Sequence, residues 1–232
     1  MNLTDLMRPV RHVLLDFDGP VCSVFGELPA HVVARRLAEA IDADLPAEVV
    51  GTDPLALLSL FAERGRDTLI AAEAKLRELE LEAVQTAPIT PGVVAALDAF
   101  RDTGRTATIV SNNAQDAVVE FLGARGLMSV VAGVCSRQHP EPELLKPNPF
   151  LVRRAMAERG ASNYECVMIG DSATDVRAGD AAGVPIIGYA PRQGKERSLA
   201  EATRGRLVIA KSMNDIARAA HVESEVLPNF HH

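Results

Sequence analysis

The chain reads as an α/β protein, a doubly wound parallel sheet with a small all-helical unit set into it. Three observations predict this. Short apolar runs rich in β-branched residues recur at 12–16, 106–110, 165–170, 184–189 and 206–210, each too brief for an ordinary helix. From residue 90 onward helical patterns separate the runs, and that alternation implies a parallel sheet covered on both faces. Between the first run and residue 89 the alternation stops, and helical patterns follow one another.

The elements follow in chain order. HVLLD (12–16) is the first strand and leads into DFDGPV (16–21), where Gly19 and Pro20 turn the chain. Helices are expected over 29–41, 54–64 and 67–84. The last places Leu69, Ala72, Leu76, Leu79 and Ala83 at spacings of 3, 4, 3 and 4. That is one apolar stripe, with Glu73, Lys75, Arg77 and Glu80 mostly elsewhere on the wheel. Thr90–Pro91 reads as an N-cap with proline at the first helical position, then Val93, Val94, Leu97 and Phe100 on one face and Gly104 as the stop. TATIV (106–110) is the second strand, and Ser111-Asn112-Asn113 is its turn into a helix with Val118, Val119 and Leu122 inward. VVAGV (130–134) is a weaker strand. A helix starts around Pro147–Pro149 and ends near Gly160. ECVMIG, VPIIGY and RLVIA complete the sheet, with GDSATD opening a helix after the first of these. The implied division is a core of 1–21 and 89–232 and a helical unit of 22–88.

Composition narrows the function. Of 232 residues, 47% are hydrophobic and 24% charged, the balance of a globular protein, and aromatics at 4% leave aliphatic side chains to fill the core. A formal net charge of −7 argues against nucleic acid or an anionic membrane as partner. It leaves room for a small anion, because a local lysine or a metal reverses the sign inside a pocket. No run of 18 apolar residues and no secretion-type leader is seen, and Cys22, Cys135 and Cys166 form no CxxC pair. The expectation is a cytoplasmic protein with reduced thiols. His231–His232 is too short to treat as a metal site.

In doubly wound sheets ligands collect beyond the carboxyl ends of the strands. Four polar clusters stand there: Asp16 and Asp18; Ser111 and Asn112; Lys146 in LKPNP; and Asp171 and Asp175 in GDSATD. Singly, each has a structural explanation as a strand end, a capping turn, a surface lysine or an acidic helix start. In this combination and order they resemble the haloacid dehalogenase superfamily of aspartyl-nucleophile hydrolases, and the motifs span residues 11–190. The helical segment after the first motif looks like the cap of the subgroup containing phosphoglycolate phosphatase and β-phosphoglucomutase.

That resemblance implies a Rossmann-like core and a Mg²⁺-dependent phosphomonoesterase acting on a small soluble phosphate through an aspartyl-phosphate. Asp16 would be the nucleophile and a metal ligand, joined by the Asp18 backbone carbonyl and by Asp171, with Asp175 orienting the shell. Asp18 would act as acid and then base; Ser111, the Asn112 amide and Lys146 would bind phosphoryl oxygens. A sugar phosphomutase and a catalytically weak metabolite-binding module remain alternatives. Dehalogenation is disfavoured because Asp18 is present. Pro20 stands where many phosphatases of the superfamily carry Thr, so a contact that orients the nucleophile loop is absent or supplied from elsewhere. Specificity is expected in the helical segment and in the flap at 19–29, where Cys22 packs and Phe25 lines the leaving-group side or anchors the flap. His31, Arg35 and Arg36 begin the first cap helix and are candidates to meet a second anionic group.

Overall fold

The structure is a computed structural model that describes residues 1–42, 45–51 and 53–221; the terminal His231–His232 pair lies outside them. Along the chain run α1 (Leu3–Met7), β1 (His12–Leu15), α2 (Ala30–Ile41), α3 (Ala47–Val50), α4 (Pro54–Glu63), α5 (Arg66–Thr86) and α6 (Val93–Asp102). Then come β2 (Thr106–Ala114), α7 (Gln115–Ala124), β3 (Gly133–Arg137), α8 (Phe150–Arg159), β4 (Cys166–Gly170), α9 (Ala173–Ala182), β5 (Ile186–Tyr189), α10 (Lys195–Glu201), β6 (Leu207–Ala210) and α11 (Met213–Ala220). The strands form one parallel sheet in the order β3-β2-β1-β4-β5-β6. The winding reverses between β1 and β4, and their carboxyl ends open a crevice there.

The period of two along each strand builds two cores. Val13 and Leu15 of β1, Ile109 of β2 and Val167 and Ile169 of β4 face the layer of α6, α7 and α11. Leu14, Val110 and Met168 face the other layer, with α8 and α9. Side chains of α2, α4 and α5 belong to this second cluster. These three helices pack on one another, and α5 also lies against α7 and β2. The chain leaves the sheet and returns to it through two adjacent crossings: the Ser23 N–H donates to the Pro88 carbonyl at 3.0 Å and the Thr90 N–H to the Val21 carbonyl at 2.9 Å.

Several expectations are corrected. The weaker strand expected at 130–134 is β3, Gly133–Arg137, because Ser136 rather than Val131 reaches register with β2, opposite Ser111. Val130 and Val131 pack on the core from the preceding loop. Ser111 to Asn113 continue β2 instead of leaving it, with a register irregularity between Ser111 and Ala114. Gly92, not Thr90, is the N-cap of α6. Val94 and Val119 are exposed, being one position off the inward stripes of α6 and α7. On α5 the stripe of Leu69, Ala72, Leu76, Leu79 and Ala83 is buried as expected, but Glu73 and Glu80 are buried too. No described helix is long and apolar enough to cross a membrane, and the three cysteines are free and buried.

Candidate active site

The apolar strand β1 delivers Asp16 to the crevice, where its backbone N–H still donates to the Ile169 carbonyl at 2.9 Å. The chain then folds back at Gly19, whose φ is +103°. A Cβ at Gly19 would lie 2.4 Å from the Asp171 carboxyl carbon, so this position has room for no side chain. The turn brings Asp18 back towards the site, and its Oδ1 accepts the Val24 N–H at 2.8 Å. From β4 come Asp171 and, through α9, Asp175.

Lys146 ties these elements together. Its Nζ donates to Asp16 Oδ1 at 2.7 Å, to Asp175 Oδ1 at 2.6 Å and to the Val110 carbonyl at 2.8 Å. Its backbone is clasped by Asn112, whose Oδ1 accepts the Lys146 N–H at 2.8 Å while Nδ2 donates to the Lys146 carbonyl at 2.9 Å. Asp175 Oδ2 accepts the Ser172 hydroxyl at 2.6 Å and the Ser172 N–H at 3.0 Å. Asp16 Oδ1 also accepts the Phe17 N–H at 2.8 Å; Oδ2 has no hydrogen bond among the described residues. Asp16, Asp18, Ser111, Asn112, Lys146, Asp171 and Asp175 all border one cavity of about 220 Å³.

The electrostatics divide these groups. Burial opposes charge on Lys146, but Asp16 and Asp175 outweigh it and hold the ammonium charged. Burial likewise opposes charge on Asp175, yet Lys146 and Ser172 keep its carboxyl below the ordinary range. Asp16 is pushed well above that range by burial and by Asp175, with Lys146 only partly compensating. It therefore resists ionisation until more positive charge arrives. Burial pushes Asp18 up to about 6, against the pull of the Val24 N–H. Burial also raises Asp171, opposed by an ion pair to Lys195 at the start of α10. Carboxylate oxygens of Asp16, Asp171 and Asp175 lie within 4.8 Å of one another. An all-oxygen donor set of this kind suits a hard divalent cation.

Residues 31–189 match the haloacid dehalogenase-like hydrolase family. The chain belongs to that family. A phosphoglycolate phosphatase of Rhodospirillum rubrum is 33% identical to this chain over 105 residues, 44% of this chain and 41% of that protein. The pyrophosphatase PpaX of Bacillus pumilus is 31% identical over 98 residues, 42% of this chain and 44% of that one. The chain thus spans less than half the length of these two curated relatives. The β-phosphoglucomutase of Clostridium difficile superposes with a TM-score of 0.67 at 15% identity, covering 91% of this chain and 97% of that structure, a likeness of fold.

Within this chain the helical segment contributes Asp53 and Leu55, and the flap Phe25, to the cavity wall. His31 and Arg35 are exposed and are not among the lining residues; Arg35 approaches Glu39 at 3.9 Å and Arg36 pairs with Glu82 at 2.7 Å. Cys22, within the flap, packs in the core. Thr90 Oγ1 donates to the Gly19 carbonyl at 2.6 Å, so a hydroxyl from outside the first motif holds the loop that contains Pro20. The sequence marks Thr90 only as a cap and Glu73 and Glu80 only as polar positions of α5, and gives no sign of Lys195 at the site. The one available signal was the spacing of seven between those glutamates, which sets both beside the apolar stripe of α5.

Proposed function

We propose that this hydrolase is a phosphomonoesterase whose nucleophile is Asp16 and whose substrate is a small soluble phosphate ester. The observation that carries the reading is the Lys146 ammonium, which joins Asp16 to Asp175 beside Asp171 at the reversal of the sheet. Asp16, the Asp18 carbonyl and Asp171 would hold Mg²⁺, whose charge would keep Asp16 ionised and offset that of the phosphoryl group. Asp175, already engaged by Lys146 and Ser172, would orient the shell.

Asp16 attacks phosphorus, forming the aspartyl-phosphate as the bond from phosphorus to the ester oxygen breaks. Asp18, with its carboxyl near 6, gives its proton to the departing alkoxide and then takes one from the water that cleaves the acyl phosphate. That cleavage returns Asp16 and releases inorganic phosphate. The Ser111 hydroxyl, the Asn112 amide and Lys146 bind the phosphoryl oxygens and stabilise their charge. The segment 22–88 acts as a cap over the core of 1–21 and 89–232, with Phe25 and Leu55 against the leaving group.

Relatives named phosphoglycolate phosphatase and pyrophosphatase put phosphoglycolate and inorganic pyrophosphate first in a substrate panel that also includes sugar phosphates and nucleoside monophosphates. Release of inorganic phosphate in Mg²⁺ is expected for at least one of them and is expected to vanish in Asp16→Asn. Substantial hydrolysis surviving in that variant would remove Asp16 as the nucleophile.

A further inference from the structure

A triad of buried charges sits in the seam between α5 and the sheet. Glu80 is 0% exposed, Arg137 of β3 3% and Glu73 8%. Seven residues apart on α5, the two glutamates lie about 10 Å apart along one face of the helix, and the guanidinium fork reaches both. One arm meets Glu73 Oε2 at 2.6 Å and the other meets Glu80 Oε2. Burying three charges is a poor route to stability, since apolar side chains of equal volume commonly serve as well. What apolar side chains cannot do is accept hydrogen bonds, and Glu80 accepts several. Asn113 Nδ2 donates to Oε1 at 2.9 Å; the Ala114 N–H donates to Oε2 at 2.9 Å.

These bonds end on the carboxyl end of β2, which carries Ser111. With its amide nitrogen pinned by Glu80, Asn113 presents Oδ1 to the Ser111 hydroxyl at 3.1 Å, and the Asn113 N–H donates back to Ser111 Oγ at 3.1 Å. Arg137 Nε donates to the Asn112 carbonyl at 3.0 Å, fixing the residue that clasps Lys146. We infer that Glu80, held by Arg137, is a positioning residue that sets the Ser111–Asn113 end of β2 for phosphoryl binding from the helical segment. The inference rests on the reading of Ser111 and Asn112 as phosphoryl ligands. Every partner of the Glu80 carboxylate is a donor, so glutamine must turn its own NH₂ towards one of them.

The test compares Glu80→Gln with the wild type and with Leu37→Ala, a core truncation elsewhere in the helical segment. Calorimetry measures affinity for inorganic phosphate and for Mg²⁺, alongside kcat and KM. In Glu80→Gln the phosphate dissociation constant is expected to rise at least fivefold and kcat/KM to fall at least tenfold, with Mg²⁺ affinity within twofold of wild type. Leu37→Ala is expected to melt earlier yet bind phosphate within twofold of wild type. A folded Glu80→Gln with wild-type phosphate affinity, or an equal loss in Leu37→Ala, would overturn the inference. If Glu80→Gln does not fold, Arg137→Lys, which keeps the charge but lacks the Nε–H that reaches Asn112, carries the same thresholds. A wild type that binds phosphate but hydrolyses no ester refutes the catalytic reading, and the affinity ratios still decide the role of Glu80. A wild type that binds no phosphate overturns both.

Discussion

At the scale of single residues, the site is defined as much by what has no side chain as by its carboxylates. A methyl group on Gly19 would overlap the Asp171 carboxyl, and φ +103° disfavours any L side chain there. Gly19→Ala is therefore expected to displace Asp171 and lower kcat/KM about a hundredfold, as measured on whichever ester the wild type hydrolyses. Activity within a factor of three of wild type would show that the two loops separate freely. Asp18 supplies a second test. Its carboxyl rises from 3.8 to about 6 on burial. Between those values the native chain keeps a proton that the unfolded chain has released, so stability falls as pH rises through that window. Asp18→Asn mimics the protonated form. In EDTA it is expected to come close to the wild type near pH 4 and to exceed it at pH 7 by about 3 kcal/mol, read from urea unfolding. An equal margin at both pH values would contradict the assigned burial. The need for carboxylates beyond the strand ends was legible in DFDGPV and GDSATD. The Lys195 partner of Asp171 was not, because nothing local marks a lysine that acts across the sheet.

At the scale of elements, a local apolar pattern predicts which segments are buried better than which atoms they pair with. Five strands and the three long helices between 29 and 86 were readable from periodicity, because burial on a sheet face or helix stripe imposes it. The third strand was misplaced by three residues because an apolar run reports packing, whereas strand ends are set by the neighbouring ladder. Thr90 shows the same limit. Beside a proline it carries the signature of a cap, yet its hydroxyl bonds the Gly19 carbonyl, 71 residues away in the chain. Thr90→Val keeps the shape and deletes that bond. The expected cost is about 1–2 kcal/mol of stability, the price of leaving a part-buried carbonyl unpaired. A drop in kcat exceeding that in KM is also expected, because the loop that positions Asp16 and Asp18 is loosened. Unchanged unfolding midpoint and kcat would show that the loop is held by its backbone alone.

At the scale of the whole molecule, the sheet gathers like charges that an extended chain would keep apart. Asp16 and Asp171 come from neighbouring strands β1 and β4 but are separated by nearly the length of the core in sequence. Folding therefore brings together carboxylates that repel, and Lys146 neutralises only part of that charge. A dication bound to the native chain and not to the unfolded one removes the remainder and must stabilise the fold by mass action. At one hundred times its dissociation constant that linkage is worth about 2.7 kcal/mol, or about 5–10 °C in Tm for a chain of this size. Mg²⁺ is expected to raise Tm by that amount, EDTA to reverse it, and Asp171→Asn to abolish it, all without substrate. The family resemblance pointed to an ion from the sequence, but the expected stabilisation was not legible there, since it depends on the crossing order that sets β4 beside β1. A wild type whose Tm ignores saturating Mg²⁺, or an Asp171→Asn variant that responds as fully, would show that the three acids are held apart or neutralised within the chain and need no cation.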